Sequence, residues 1–184
     1  PVEVDVAFQP RRWADLGLAD ARYRTRVQLT DGGVYDNLGL EPLLRQCEVV
    51  LVSDACAPAQ PNPDPGTSWR AQVMRAFEIA SQQQRALRKR HLIAEYVQGK
   101  RRGAYWGIST RIADYDLPDS LPLSPEATAY VAGLRTRLDP FSDEEQERLI
   151  NAGYALCDAA MRRHVPEFYP PAAWPYPNDA QGVP

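Results

Sequence analysis

Val27-Gln28-Leu29-Thr30-Asp31-Gly32-Gly33-Val34-Tyr35-Asp36-Asn37-Leu38-Gly39-Leu40 is the stretch that decides the fold. A strand is predicted over about Arg24 to Thr30, and Asp31-Gly32-Gly33 breaks its pattern. Asn37 is expected to cap a short helix carrying Leu38, Leu43, Leu44 and Cys47. Strand, tight turn and helix in this order point to an α/β fold, in which reactive groups collect at the carboxyl ends of strands. Asp31 holds that position. Asp-Gly-Gly alone is a weak signal, because both residue types are favoured in any turn. Its glycines nevertheless let the chain turn sharply and approach a neighbour, so a carboxylate just before them can be aimed without obstruction.

Working outward, Val49-Val50-Leu51-Val52 is continuously apolar and suits a strand covered on both faces of a parallel sheet, ending at Ser53-Asp54. Its link through a helix to the preceding strand predicts a right-handed crossover between the two. Upstream, Val2, Val4, Val6 and Phe8 share one face of a strand. A strand there reads as one already inside a domain, so the chain is expected to begin mid-fold.

Downstream, residues 57–66 hold four prolines and are expected to form a loop. Ser68 then caps a long helix whose apolar stripe is Val73, Phe77, Ala80, Leu87 and Ala94. At about 1.5 Å per residue it reaches some 45 Å, with Gln82-Gln83-Gln84 as the expected weak point. Ala104 to Ser109 reads as a further strand, with Gly107 marking a bulge or close approach. A loop from Leu117 to Pro125 and a short helix from Glu126 to Leu134 follow. Ser142 and Glu145 form a capping box for a last helix, whose face of Leu149, Ile150, Gly153, Leu156, Ala160 and Met161 should dock on the sheet. After His164 the chain turns rich in proline and aromatic residues. The predicted fold is α/β, a layered parallel or mixed sheet with helices on both faces over residues 1–165, with residues 166–184 as a tail that is docked or loose.

The totals exclude several classes. At 184 residues and 44% hydrophobic content the chain can bury a core of domain size. A net charge of −3 supplies no basic field, so nucleic acid is not an expected partner. Cys47, Cys56 and Cys157 show neither disulfide nor zinc spacing, and no metal or other cofactor is expected. No apolar run is long enough to span a bilayer and Pro1 to Val6 does not read as a signal peptide, so a cytoplasmic or peripheral-membrane location is expected.

The block Val27 to Leu40 resembles the Asp-Gly-Gly/Ala segment of patatin-like phospholipases. The strand ending Val52-Ser53-Asp54, the long basic helix, Tyr105-Trp106-Gly107-Ile108 and the Phe141-to-Glu145 helix start follow in the order of bacterial members. The resemblance spans the chain to about residue 165 and implies the C-terminal portion of a patatin-like domain. It further implies a serine–aspartate dyad without histidine that hydrolyses acyl esters of lipids, with Asp31 as the catalytic aspartate in a turn made by Gly32 and Gly33. A carboxylate of ordinary pKa, roughly 4, is a poor base, so the dyad implies a partly dry cleft around Asp31. The sequence departs from the pattern in lacking any GxSxG elbow or glycine-rich oxyanion turn before Asp31. No nucleophile is therefore assigned in this chain; Gly107-Ile108-Ser109 lacks the elbow's following glycine. The 184 residues alone are expected to be inactive. The expected partners are a lipid or acyl-ester substrate and the missing N-terminal half of the domain, in cis or in trans.

Other candidates carry a plainer reading beside the functional one. Asp54 suits a loop cap better than a ligand-positioning carboxylate. Asp36 and Asn37 suit turn and cap roles, and His91 and His164 an ordinary surface. Arg85, Arg88, Lys89, Arg90, Lys100, Arg101 and Arg102 face a single acid, Glu95. They would suit an anionic membrane surface, although a solvated helix face explains them as well. Two other classes compete. A haloacid-dehalogenase-like phosphotransferase would place Asp31, Asp36 and Asp54 around Mg²⁺, but Leu29 stands where its nucleophilic aspartate is required. A non-catalytic remnant that binds lipid or protein is the other.

Overall fold

The computed structural model describes residues 2–4, 27–29, 31–56, 61–135, 139–168 and 173–177. The predicted continuation of the first strand through Phe8, the start of the second at Arg24, Thr30, and parts of the proline loop and tail lie outside the described residues. The chain divides into two compact units, Pro1–Gly39 and Leu40–Pro184.

In the first unit, β1 (Val2–Val4) pairs antiparallel with β2 (Val27–Leu29), Val2 opposite Leu29 and Val4 opposite Val27. The Asp31 turn follows and leads into a single helical turn, α1 (Gly33–Asp36).

The second unit is a small α/β arrangement. Helix α2 (Leu40–Gln46) starts just after Gly39, whose φ of +61° is open to glycine without strain. Strand β3 (Val49–Asp54) lies parallel to β4 (Arg102–Gly107), from Val49 opposite Arg102 to Asp54 opposite Gly107. Among the described residues of this unit the parallel pair is β3 with β4, connected through the long helix α3 (Trp69–Val97). At the second strand the tight glycine is Gly103 rather than Gly107. Its φ is +147°, and a β-carbon there would lie 1.8 Å from the Val50 carbonyl oxygen.

Ser68 caps α3, its hydroxyl accepting from the Ala71 amide at 3.3 Å, and the helix runs unbroken through Gln82–Gln84. Its C-terminal half meets the sheet: Leu92 is fully buried, and the Tyr96 hydroxyl donates to the Val50 carbonyl at 2.6 Å. The predicted stripe is not buried; Phe77 and Leu87 are each about half exposed. Val73 and Phe77 lie beyond the stretch from Arg85 to Tyr96 that runs along the two six-residue strands, and within that stretch Leu87 and Ala94 are on the side away from Leu92 and Tyr96.

The other face of β4 carries the core. Ala104 and Trp106 pack with Tyr115, Leu156, Ala159, Ala160, Met161 and Val165, most of them on α5 (Asp143–His164). Ala152, Ala155 and Ala159 are buried on α5, and small side chains let a helix approach its neighbours closely. Burying Leu156 and Met161 contributes about 1.5–3 kcal/mol each. The capping box is formed as predicted, the Ser142 hydroxyl accepting from the Glu145 amide and Glu145 from the Ser142 amide. Of the predicted face of α5, Leu156, Ala160 and Met161 are buried, but Ile150 and Gly153 are exposed, while Asn151 and Asp158 are buried. A shorter helix, α4 (Pro125–Ala132), packs against α5. Asn151 ties down the tail, donating to the Tyr176 carbonyl at 2.9 Å and accepting from its amide at 3.1 Å. Along β3, Val50, Val52 and Asp54 are buried but Leu51 is 44% exposed and Ser53 exposed, so this strand is not covered on both faces as expected.

Candidate functional site

The Asp31 turn is built by local hydrogen bonds. The Gly33 amide donates to Asp31 Oδ1 at 2.6 Å, the Val34 amide to the Asp31 carbonyl at 3.2 Å, and the Tyr35 and Asp36 amides to the Gly32 carbonyl at 3.0 Å. The two glycines are not equivalent. A β-carbon on Gly33 would stand 2.5 Å from Asn37 Oδ1 and 3.0 Å from Asp31 Oδ1. Gly32 has ordinary helical dihedrals and open space around it. Asp31 is therefore held by the neighbouring backbone, and Gly33 is what lets Asn37 fold back beside it. Asn37, expected to cap the following helix, is the C-cap of α1, and the next helix begins at Leu40. Asp36 accepts from the Leu38 amide at 3.2 Å in a second turn. Asp31 is exposed rather than set in a partly dry cleft. Helix α1 is one turn long with no buried residue, so within its unit it shields little.

In the second unit the carboxyl ends of β3 and β4 bring together a different group. Asp54 is buried, and its Oδ2 accepts from the Tyr105 hydroxyl at 2.6 Å. Its Oδ1 accepts from the Cys56 amide at 3.0 Å, with the Arg85 guanidinium 4.0 Å away. Burial alone would raise the Asp54 pKa, but the Tyr105 hydroxyl, the Cys56 backbone and side chain and the Arg85 charge together hold it below the usual carboxylate value. Tyr105 is pushed up by burial and by the carboxylate it faces, and the Cys56 thiol is pushed up mainly by burial. Both stay protonated at neutral pH, so Cys56 is not an activated nucleophile. Asp54 caps the loop, as its sequence position indicated. Tyr105 and Arg85 were not foreseen as its partners, because 51 and 31 residues separate them from it and only the parallel register brings them together. Gly107 lies directly across from Asp54 in the register.

On the α5 side of the same strand ends lies a cavity of about 150 Å³ bordered by Ser53, Asp54, Trp106, Ile108, Val131 and Leu156. It is mostly apolar and large enough for a small hydrocarbon group.

The basic cluster is largely engaged within the chain. Arg88 lies 3.9 Å from Glu41, Arg101 2.8 Å from Glu95, and Arg102 2.9 Å from Glu167. Arg101 also donates to the Leu44 and Cys47 carbonyls, and Lys89 sits 4.3 Å above the Tyr105 ring. These contacts tie α3 and β4 to the rest of the unit and leave less charge for an anionic membrane surface. His91 lies 3.5 Å from Glu95, and His164 packs edge-on against Tyr115. Among the described residues no three His, Cys, Asp or Glu side chains are placed to hold a metal ion, and no helix is long and apolar enough to cross a membrane. No protein-family model, curated protein or solved structure matches this chain.

Proposed function

We propose that this chain supplies the aspartate of a serine–aspartate acyl hydrolase acting on lipid acyl esters, within a patatin-like layered α/β domain. The observation that carries the reading is the Asp31-Gly32-Gly33 turn after β2, with an exposed Asp31 carboxylate held by the Gly33 amide at 2.6 Å. A carboxylate fixed by its own backbone can accept a proton in a set direction without first losing side-chain freedom. In the reaction, a serine hydroxyl gives its proton to Asp31 as its oxygen attacks the ester carbonyl. The tetrahedral intermediate expels the alcohol, which takes that proton back. Water, deprotonated in turn by Asp31, then releases the fatty acid from the acyl-serine.

The serine and the oxyanion donors are not within these residues, since no GxSxG occurs in them. They come from the N-terminal half of the same domain, in cis or in trans, and the 184 residues by themselves do not turn over ester. The missing elbow is also what favours the second reading, a non-catalytic lipid- or protein-binding remnant. The test is the protein as isolated from its cell, exposed to a fluorescent fluorophosphonate and assayed on a lipid ester. A labelled serine and a fall of about 10²–10⁴ in turnover for Asp31→Asn are expected. Absence of label leaves the binding module, and wild-type turnover in Asp31→Asn removes Asp31 from the chemistry.

A further inference from the structure

The cavity on the α5 side of the strand ends, about 150 Å³ in volume, is walled by helix and strand rather than by loops alone. Leu149, Ala152, Gly153 and Leu156 come from α5, Val131 from α4, and Trp106 and Ile108 from the end of β4 and the residue after it. Residues three, four and seven apart share one helix face, so α5 turns a single stripe to the cavity. Every wall residue described belongs to the second unit.

The wall offers no charge to an occupant. Successive residues of a strand point to opposite faces, and the Asp54 carboxylate turns to the Tyr105 hydroxyl and the Cys56 amide, while Ser53, paired with Trp106, stands on the cavity side. Among the wall residues described, Ser53 alone carries a hydroxyl. A charged group would lose its hydration here without gaining a counter-ion, and a buried water needs roughly two to four polar partners. An apolar cavity of this size accepts a benzene-sized molecule instead. Gly153 is an independent observation. Glycine inside a helix costs stability relative to alanine, yet a β-carbon at Gly153 would meet nothing within 4 Å, so close packing does not require it. Its missing side chain is room in the cavity.

We propose that this cavity binds a small uncharged molecule, with an aromatic or branched aliphatic body of about benzene size and one hydroxyl that hydrogen-bonds to Ser53. The body lies among Trp106, Ile108, Val131 and Leu156, and Gly153 keeps the space open for it.

Titration of the intact protein, carrying isotope-labelled methyl groups, with benzyl alcohol and with toluene tests this by NMR. Both probes are expected to shift the methyl resonances of Ile108, Val131, Leu149 and Leu156 saturably. Those of Val50 and Val52, on the opposite face of β3, should stay in place. Gly153→Leu fills the space with a better helix former and should abolish both responses; if it does not fold, Gly153→Met takes its place. Ser53→Ala should weaken benzyl alcohol about 2- to 10-fold and leave toluene unchanged. The absence of a saturable shift in the folded wild type, equal shifts at Val50 and Val52, or undiminished binding in the folded Gly153 variant overturns the proposal. A Ser53→Ala variant that weakens both probes alike, or neither, overturns the hydroxyl contact assigned to Ser53. The readout needs no catalytic activity, so it stands or falls separately from the acyl-hydrolase reading.

Discussion

At the scale of single residues, the structure separates glycines and carboxylates that look alike in sequence. Gly33→Ala, whose added methyl meets the Asn37 and Asp31 side-chain ends, should cost more than Gly32→Ala, which meets nothing, by up to about 1 kcal/mol because those ends can turn aside. Urea unfolding of the intact protein checks the difference, and equal costs would contradict the packing described for the turn. Asp54 gives a pH prediction. Its folded pKa lies below its unfolded value of about 4, so its contribution is complete above that value and is lost as pH falls through the depressed folded pKa. Tyr105→Phe removes the hydroxyl from a buried carboxylate and should cost about 1.5–3 kcal/mol at neutral pH. It should also make the acid loss begin at higher pH, and parallel stability–pH curves for variant and wild type would refute this. The Asp31 turn was legible because its determinants lie within seven residues. The Asp54–Tyr105–Arg85 group was not, because it exists only once β3 and β4 are in register.

At the scale of elements, local signals were read well and faces poorly. The Ser68 and Ser142 caps are both formed, since a cap depends on three or four neighbouring residues. On α5, Leu156, Ala160 and Met161 are buried as predicted, but the rest of the face was misjudged because Asn151 and Asp158, polar in sequence, point inward: Asn151 to hold Tyr176 and Asp158 to pair with Arg162 at 2.9 Å. Asp158 is completely buried, and Arg162 also reaches Asp119 at 2.8 Å. Arg162→Ala strands that carboxylate and should cost about 3 kcal/mol in thermal or chemical unfolding, whereas Arg111→Ala, exposed like its partner Asp114, should cost under about 1 kcal/mol. Near-equal losses would mean that the buried pair does not carry the stability assigned to it.

At the scale of the molecule, the sequence pattern led to an α/β class, and a mixed α/β arrangement with a small parallel sheet is present. The pairing of strands was not legible. Hydrophobic runs identify strands, but β3 and β4 lie 47 residues apart with α3 between them, and nothing local marks β4 as the partner of β3. Helix α3 was misread too, because Leu92 and Tyr96 face the sheet while Leu87 and Ala94 of the predicted stripe are exposed. Asp31 was identified as a candidate site from its motif alone, and under the proposed reading its exposure sets what a serine-bearing segment would have to do: reach the carboxylate and exclude water from it.

The most direct measurement is fluorophosphonate labelling of the protein isolated intact from its cell, read by peptide mass, for wild type and Asp31→Asn. The account predicts a labelled serine outside residues 1–184, with labelling slowed about 10²-fold or more by Asp31→Asn in a protein that remains folded. An intact, folded protein that takes no label, or one labelled equally with and without the Asp31 carboxylate, would contradict it.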